Sequence, residues 1–391
     1  MSKINNIALI KFSFLIILLI SFTTGCTKQG QSNILATTVI SDFADSGYSL
    51  NYSTDRTNWV LVYADKNNFT LNLVTGSFEI DSPIIFSTEI IDQIDVPPGI
   101  NPNFGSHTFF EYRDIQYLFY SDQELAHSRV TKWIYRTSSD PSLWTVDLLD
   151  KPVIPLATLQ NPKESIVFAE IEDSREISIL KVSSERNSPV ITQIVPEIDY
   201  GKILSSFSCN NNTVLISIRE DNLFLIDETN TLIPLPPYAT QPISIGCTKL
   251  NQLVAYVKSD PVMSKTSLGS TLNASIIVAQ DLNNKFSTEV TLAREVSSIA
   301  IFHFKNPDNI NSPNLYIIYT ELITDKNNIE SHHLAIIKPD NNGEYIKTIL
   351  VSGKERIQDF LALEQKGILF ITFRRNNKLH ITQYKLNIFD R

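Results

Sequence analysis

The side chains best suited to chemistry in this 391-residue chain are carboxylates, which gather in small groups. Asp147 and Asp150 form one group, and Glu170, Glu172 and Asp173 form another. Two carboxyl groups that face each other at about 5–10 Å can act as the acid and base of a glycosidase. Acids clustered at the end of a strand are usually solvated instead, so these groups assign no catalytic residue.

Other signatures of chemistry are missing from the sequence. It contains no Gly-x-Ser-x-Gly elbow, no His-Glu-x-x-His, no P-loop and no dinucleotide-binding fingerprint. The Asp-x-Asp-x-Asp-Gly pattern of calcium loops is also absent. His332-His333 is the only histidine pair, and adjacent residues of a strand point to opposite faces. We therefore predict no metal site and no cofactor, and favour a role without catalysis.

Composition and charge limit the class of protein. Apolar residues make up 42% of the chain and charged residues 19%, which is enough apolar material for a sizeable core. The formal net charge is −9, and Arg374-Arg375 is the only adjacent pair of arginines. A chain with this acidic balance and no basic run is poorly suited to phosphate backbones, so we expect no nucleic-acid partner.

The first 26 residues have the parts of a bacterial secretory signal. Lys3 and Lys11 supply positive charge, and residues 12–22 (FSFLIILLISF) form an apolar run too short to span a bilayer. Thr24-Gly25-Cys26 follows and resembles the lipobox of bacterial lipoproteins, although Thr23 stands where that family usually has leucine. The resemblance implies that Cys26 is lipidated and becomes the new N-terminus. A plain cleaved signal and an uncleaved anchor are the alternatives.

This resemblance predicts three regions: a signal peptide over residues 1–25, a polar tether over 26–33 and a domain over 34–391. Thr27, rather than aspartate, follows the cysteine, which by the sorting rule of enteric lipoproteins implies the outer membrane. The expected partner at this end is therefore a membrane, contacted through the N-terminal lipid. Cys209 and Cys247 are the remaining cysteines, and a disulfide between them or two unpaired thiols are both compatible with the sequence.

Residues 107–149 define a structural unit that recurs along the chain. Four short runs rich in aromatic and β-branched residues (HTFFEYRD, IQYLFYSD, VTKWIYRT and LWTVDLL) are separated by turn residues. Similar quartets repeat to the C-terminus. The second strand of each is nearly continuous in apolar residues, which predicts that both faces of its sheet are covered. These second strands are Trp59–Tyr63, Gln116–Tyr120, Ser165–Ala169, Thr213–Ile218, Gln252–Tyr256, Leu315–Tyr319 and Gly367–Phe373.

Seven such units predict an all-β fold, a seven-bladed β-propeller of four-stranded antiparallel blades. After the third strand of the seventh unit only Leu386–Arg391 remain, which are few for a fourth strand. An additional β-rich stretch, Ile34–Ile40, precedes the first unit. Pairing of the two would close the ring through the N-terminal strand and leave no open edge. Six or eight blades, or a pair of β-sandwiches, are the alternatives.

Three long connections are predicted to emerge on the same face of this ring. With Ser77–Ile80 as the fourth strand of the first blade, they are Asp81–Ser106, Val257–Asn273 and Glu321–Ser331. Long loops on a rigid scaffold commonly bind partners, so this face is the predicted partner site, with neutral drift of exposed insertions as the alternative. Its candidate residues are Glu89, Asp92, Asp95, Lys258, Asp260, Lys265, Asp325 and Lys326.

Residues 138–144 (SSDPSLW) resemble the Asp-box of sialidase-like propellers, with Ser142 in place of its glycine and one residue fewer before Trp144. In that family the box is structural, and the resemblance implies that Asp140 ties off a turn while Trp144 packs between sheets. The Arg-Ile-Pro signature of sialidases is missing. The sequence therefore predicts a lipid-anchored envelope propeller that binds or scaffolds a protein or glycan partner. A glycosidase-like hydrolase acting on an extracellular polymer is the alternative.

Overall fold

Seven antiparallel sheets, called blades 1–7 in chain order, form the computed structural model of this chain. It describes residues 34–386 except 46, 54–55, 80–83, 94–106, 126–127, 138–142, 150, 161–164, 172–173, 175, 186–187, 210–211, 228–230, 238, 248–251, 259–261, 266–270, 282–286, 293–295, 305–313, 325–328, 340–344 and 366. Cys26, with the predicted signal and tether, lies outside these residues. Within them, no helix is long and apolar enough to cross a membrane.

The strands, numbered in chain order, make up the blades from the innermost to the outermost position. Blades 1 to 4 comprise β2 (Ser49–Tyr52), β3 (Asn58–Asp65), β4 (Thr70–Ser77), β5 (Phe86–Gln93); β6 (His107–Tyr112), β7 (Ile115–Leu125), β8 (Ser128–Thr137), β9 (Thr145–Leu148); β10 (Val153–Gln160), β11 (Ser165–Ile171), β12 (Ile177–Glu185), β13 (Ser188–Ile194); and β14 (Lys202–Cys209), β15 (Asn212–Arg219), β16 (Asn222–Ile226), β17 (Leu232–Pro234).

Blades 5 to 7 have the same order, with one extra strand in blade 5 and the N-terminal strand in blade 7. They comprise β18 (Ala239–Cys247), β19 (Gln252–Lys258), β21 (Thr271–Asp281), β22 (Ser287–Leu292), with β20 (Val262–Lys265) beside β21; β23 (Val296–Phe304), β24 (Asn314–Thr324), β25 (Glu330–Pro339), β26 (Tyr345–Gly353); and β27 (Ile357–Gln365), β28 (Ile368–Arg375), β29 (Lys378–Lys385), β1 (Ile34–Ser41).

The N-terminal strand closes the ring, as predicted. β1 pairs antiparallel with β29, with Ile34 opposite Tyr384 and Ser41 opposite Leu379. The Thr37 and Thr382 hydroxyls lie 2.6 Å apart, and Thr382 Oγ1 also donates to the Ala36 carbonyl at 2.9 Å. The first strand of the domain therefore supplies the outer strand of the last blade, so that β29 is paired on both sides.

The second strand of each blade is buried on both faces because its alternate side chains contact different neighbours. In β3, Trp59 and Leu61 pack in a cluster with Phe370 of blade 7. Val60 and Val62 of the same strand pack in another cluster, which includes Leu118 of blade 2. This arrangement explains the continuous apolar runs in the sequence, since a radial stack covers both faces of every sheet.

The sequence prediction misplaced the fourth, outer strand of blade 1, and the predicted loop Val257–Asn273 contains the extra strand β20 and the start of β21. Ser77–Ile80 was expected to form it, but Ser77 ends the third strand and Phe86–Gln93 forms the fourth. The predicted loop Asp81–Ser106 therefore contains a strand. Phe86–Gln93 (FSTEIIDQ) has no continuous apolar run because it lies at the rim, where most of its side chains are partly or fully exposed.

Candidate functional site

Two of the predicted partner-face residues, Glu89 and Asp92, lie in β5 rather than in a loop. Glu89 joins blade 1 to blade 2: its carboxylate accepts hydrogen bonds from Arg136 Nη1 at 2.7 Å and from Trp144 Nε1 at 2.8 Å. The Arg136 guanidinium also lies over the Trp144 ring, 4.4 Å from its centroid. Arg136 Nε donates in turn to Gln116 Oε1 at 2.6 Å. The cluster is an inter-blade contact, and Trp144 packs between the two sheets.

Asp92, three residues after Glu89 on β5, makes a similar contact with blade 2. Its carboxylate accepts a hydrogen bond from the Tyr120 hydroxyl and lies 3.4 Å from Lys132 Nζ. Both partners belong to blade 2, and Lys132 also lies over the Tyr120 ring at 5.9 Å. We call Glu89, Asp92, Lys132, Arg136 and Trp144 the rim cluster. Its carboxylates hold two blades together, a role that the sequence analysis did not foresee.

The other predicted partner-face residues are described only in part. Lys258 ends β19 and is partly exposed, while Lys265 ends β20 with only its backbone described. The remaining four lie outside the described residues: Asp95, Asp260, Asp325 and Lys326. Cys209 and Cys247 end the inner strands of blades 4 and 5, but their side chains are not described, so the disulfide stays a prediction.

Within the described residues, three hairpins between second and third strands extend past the paired part of their inner strands. In blade 2, pairing of the inner strand ends at Tyr120, whereas β7 and β8 continue to Leu125 opposite Ser128. In blade 6, inner-strand pairing ends at Glu321, whereas β24 and β25 continue to Thr324 opposite Glu330. In blade 5, β20 pairs with β21 beyond the end of β19. We call the side of the ring with these connections the hairpin face.

Other blades end sharply on the same face. Blades 4 and 7 close their second and third strands with two-residue turns, Glu220-Asp221 and Asn376-Asn377, in which both residues have positive φ. This is the tight turn that fits the twist of paired strands. In the ring order, blade 2 lies three places from blade 5 in one direction and three places from blade 6 in the other. The extended hairpins therefore stand on opposite sides of the central channel.

The central channel has a volume of about 690 Å³ and is bordered by the inner strands of all seven blades. Most of the described side chains that line it are apolar or neutral and polar, including Phe207 and Phe302, which are half-buried. Arg56 and Glu364 are the charged residues among those described lining residues. The channel therefore presents aromatic rings and hydroxyl or amide groups far more than charge.

One mouth of this channel, on the side away from the hairpin face, is built around Tyr52. Its hydroxyl donates to the Glu364 carbonyl at 2.8 Å and accepts from the Glu364 N–H at 3.0 Å, which ties blade 1 to blade 7. The Arg56 guanidinium lies over the Tyr52 ring at 5.2 Å. Burial raises the pKa of Tyr52 to about 12 and also raises the pKa of Glu364. Both groups act here as positioning contacts within the wall.

The carboxylate pair that a glycosidase needs is not among the described lining residues, where Glu364 is the only carboxylate. Its Oε1 accepts a hydrogen bond from the Gly367 N–H at 2.7 Å. In the two acidic groups of the sequence, Asp150, Glu172 and Asp173 lie outside the described residues. The described residues also contain no group of three or more His, Cys, Asp or Glu able to hold a metal ion.

A second polar cluster lies in blade 6, where the extended hairpin leaves the sheet. Glu321 of β24 is 2% exposed, and its carboxylate contacts Lys347 of β26 and Nδ1 of His333 of β25. His332, the other member of the histidine pair, lines a groove with Arg356 and Ile357 of blade 7. His333 and Glu321 line the same groove, so the prediction that the two histidines point to opposite faces rests on strand alternation alone. Sequence analysis missed Glu321, because only strand register brings it opposite His333.

Comparisons with known proteins support the fold alone. A scan against protein families and a search of curated proteins both found no match. Among solved structures, the chain is similar to the polysaccharide lyase Uly1 at 8% identity, with a TM-score of 0.51, over 87% of this chain and 90% of that one. It is also similar to the β-propeller domain of the Trilobed protease from Pyrococcus furiosus, at 10% identity and a TM-score of 0.46, over 88% and 95%.

Proposed function

We propose that this chain is a lipid-anchored propeller of the cell envelope that binds a protein or glycan partner across its hairpin face. The observation behind the proposal is the placement of the extended hairpins: one in blade 2, and two on the far side of the channel in blades 5 and 6. Walls on opposite sides of a channel mouth make a cleft, and rigid elements around a cleft commonly bind partners.

The channel lining supports binding of a neutral or weakly charged ligand. Half-buried rings such as Phe207 and Phe302 offer flat apolar surface, while Asn51, Ser205 and similar side chains offer hydrogen bonds. A wall that combines such rings with hydrogen-bonding groups can hold a neutral ligand. For the alternative, a glycosidase-like hydrolase, no observation on the described residues supplies the two opposed carboxylates that it needs.

The direction of the first strand shows on which side of the ring, relative to the hairpin face, the chain enters the domain. Ile34 pairs with Tyr384, near the end of β29 that lies away from the hairpin face, and the strand then runs toward the hairpins. The chain thus enters the ring on the opposite side from the hairpins. For a propeller attached through residues that precede Ile34, the proposed binding face is the one turned away from the point of entry.

A photocrosslinking experiment in cells tests the binding face. The full chain is made with benzoylphenylalanine either at Ile329, which is 47% exposed beside the blade 6 hairpin, or at Lys385, which is exposed on the opposite side. We expect ultraviolet light to give a discrete adduct at Ile329 and none at Lys385. Protease or glycosidase treatment of the adduct then identifies the partner as protein or glycan. Equal adducts at both positions, or none at Ile329, contradict the proposal.

The anchor is tested separately. Cells grown with an alkyne analogue of palmitate should label the full chain, and Cys26→Ser should abolish the label and release the protein from the membrane fraction. Cys209→Ser is the matched control and should keep the label. Labelling that survives Cys26→Ser would contradict the lipid anchor without affecting the proposed binding face.

A further inference from the structure

Three side chains of blade 6 line up on one face of the sheet at the base of its extended hairpin. Glu321 of β24 is directly opposite His333 of β25, and Ser331 lies two residues before His333 on the same strand. Residues two apart on a strand point to the same face. Ser331 Oγ lies 2.9 Å from His333 Nε2, and Glu321 Oε1 lies 3.4 Å from His333 Nδ1.

The two nitrogens of His333 therefore have different neighbours. A hydrogen-bond acceptor beside Nδ1 selects the tautomer that carries its proton there, which leaves the lone pair of Nε2 for the serine hydroxyl. Ser331 then donates its proton toward Nε2. This order of groups, carboxylate to Nδ1 and hydroxyl to Nε2, is the arrangement by which a histidine activates a nucleophile.

Lys347 makes the arrangement electrostatically consistent. Glu321 is almost fully buried, and a buried carboxylate stays ionised only beside a compensating charge. The Lys347 ammonium contacts the same Oε1 atom that faces His333. An ionised Glu321 can accept a hydrogen bond from the Nδ1–H group and can stabilise an imidazolium beside it. At 3.4 Å this contact does not meet hydrogen-bond geometry, and the role requires it to shorten when a substrate binds, as such contacts often do.

We propose that Ser331 is the nucleophile of an ester-hydrolysing site, with His333 as its general base and Glu321 as the residue that positions His333. The ligand class is a carboxylic ester with a small acyl group. This activity goes beyond partner binding and does not depend on it.

The chemical step balances with water as the only co-reactant. Ser331 Oγ forms a bond to the acyl carbon while its proton passes to His333 Nε2. The alcohol then leaves as its C–O bond breaks and takes that proton from His333. In the second half, His333 removes a proton from water and the resulting hydroxide attacks the acyl carbon. The bond between the acyl carbon and Ser331 Oγ then breaks, Ser331 Oγ takes the proton from His333, and the carboxylic acid is released.

The position of Ser331 suits this role. It pairs with Ile323, beyond the last residue pair that β24 makes with the inner strand, so it lies where the hairpin rises from the ring. Ser331 is partly exposed, whereas the His333 side chain is only 12% exposed. The base is thus sheltered while the hydroxyl is accessible, and two paired strands hold both groups in place.

Labelling of the full chain with a fluorophosphonate probe tests the site. In this reaction Ser331 Oγ displaces fluoride from phosphorus, so mass spectrometry of the digested protein locates the adduct. We expect one adduct, on the peptide that contains Ser331, and a burst of p-nitrophenol from p-nitrophenyl acetate. Ser331→Ala should abolish both, and His333→Gln should slow labelling by about 100-fold or more.

Ser352→Ala is the matched control, because Ser352 is an exposed serine that pairs with His333 from β26, whereas Ser331 lies on β25 itself. It should label at the wild-type rate. Circular dichroism melts show whether Ser331→Ala and His333→Gln remain folded, and neither removes a buried charge. No labelling of the folded wild type, an adduct on another serine, or labelling that survives Ser331→Ala would each overturn the proposal.

Discussion

Two charged clusters of this propeller use the same residue types for opposite purposes. In the rim cluster, Glu89 bonds with Arg136 and Trp144 across the boundary between blades 1 and 2, and its side chain is 38% exposed. In blade 6, Glu321 contacts Lys347 and His333 of its own sheet, and its side chain is 1% exposed. The first cluster joins two blades, whereas the second belongs to one.

The difference shows that burial, rather than the number of partners, sets the energy of each contact. Water can replace a lost partner of Glu89, so removing one costs little. Water cannot easily reach Glu321, so its partners determine whether it stays charged. The following experiments compare the two clusters, from the largest expected effect to the smallest.

Lys347→Met should give the largest loss of stability. It leaves the buried Glu321 carboxylate without its ammonium partner, and we expect the free energy of unfolding to fall by about 3 kcal/mol. Urea unfolding monitored by tryptophan fluorescence measures this. Lys378→Met is the control, because Lys378 pairs with Asp42 on the surface and both side chains are more than half exposed. An equal loss in both variants would contradict the role of burial.

Acid should weaken the blade 1–blade 2 boundary through His107. Its Nε2 donates to the Val62 carbonyl of blade 1 at 3.2 Å, and burial lowers the pKa of His107 to about 4. The unfolded chain therefore binds the proton more readily. Stability is complete above pH ~6.5 and falls as the pH drops toward 4, at about 1.4 kcal/mol per unit at most.

Because the His107 ring is partly exposed, we expect a loss of about 2 kcal/mol over this range. His107→Gln retains a side-chain N–H donor but cannot take up the proton, so its urea midpoint should change less between pH 7 and pH 4.5. Parallel pH profiles for the two proteins would show that another group is responsible.

Arg136→Met should cost less than Lys347→Met. It removes the guanidinium that bonds Glu89 and lies over Trp144, but Glu89 can be solvated instead. We expect a loss of about 1 kcal/mol in the free energy of unfolding, which shrinks in 1 M salt because part of it is an exposed ion pair. A loss as large as that of Lys347→Met would mean that the rim cluster is desolvated in solution.

Trp144→Phe should have the smallest effect. It keeps an aromatic ring under Arg136 but removes the indole N–H that donates to Glu89 at 2.8 Å. Since Glu89 is partly exposed, we expect about 0.5 kcal/mol. Combining it with Glu89→Met, which has no oxygen to accept the indole N–H, in a double-mutant cycle isolates the bond, and a coupling near zero would show that Trp144 acts only by packing.

The fold was predictable from the sequence because its signals are local. Turn residues such as Arg113-Asp114 separate the strands, and apolar runs such as Trp59–Tyr63 identify sheets covered on both faces. The outer strand of blade 1 was missed because Glu89 and Asp92 look like loop residues until their partners on blade 2 are known. Rim strands lack the double burial that makes inner strands recognisable.

The blade 6 cluster was out of reach for a different reason. Ser331 and His333 have the spacing of one strand face, which the sequence does show, but Glu321 comes ten residues earlier. Only the register of β24 against β25 places it beside the imidazole. The sequence analysis treated Glu321–Ser331 as a loop, whereas its two ends belong to the paired strands β24 and β25. The register of this pair was therefore not considered. Contacts that depend on pairing across strands cannot be found from spacing alone.

The pairing of β1 with β29 also sets the order of events during synthesis. Ala36 is among the first residues of the domain to be made, and its hydrogen-bond partner Thr382 follows 346 residues later. The first strand must therefore wait, without its partner, until almost the whole chain exists. The ring cannot close before its last strand arrives, so the complete fold depends on a contact between the two ends of the domain.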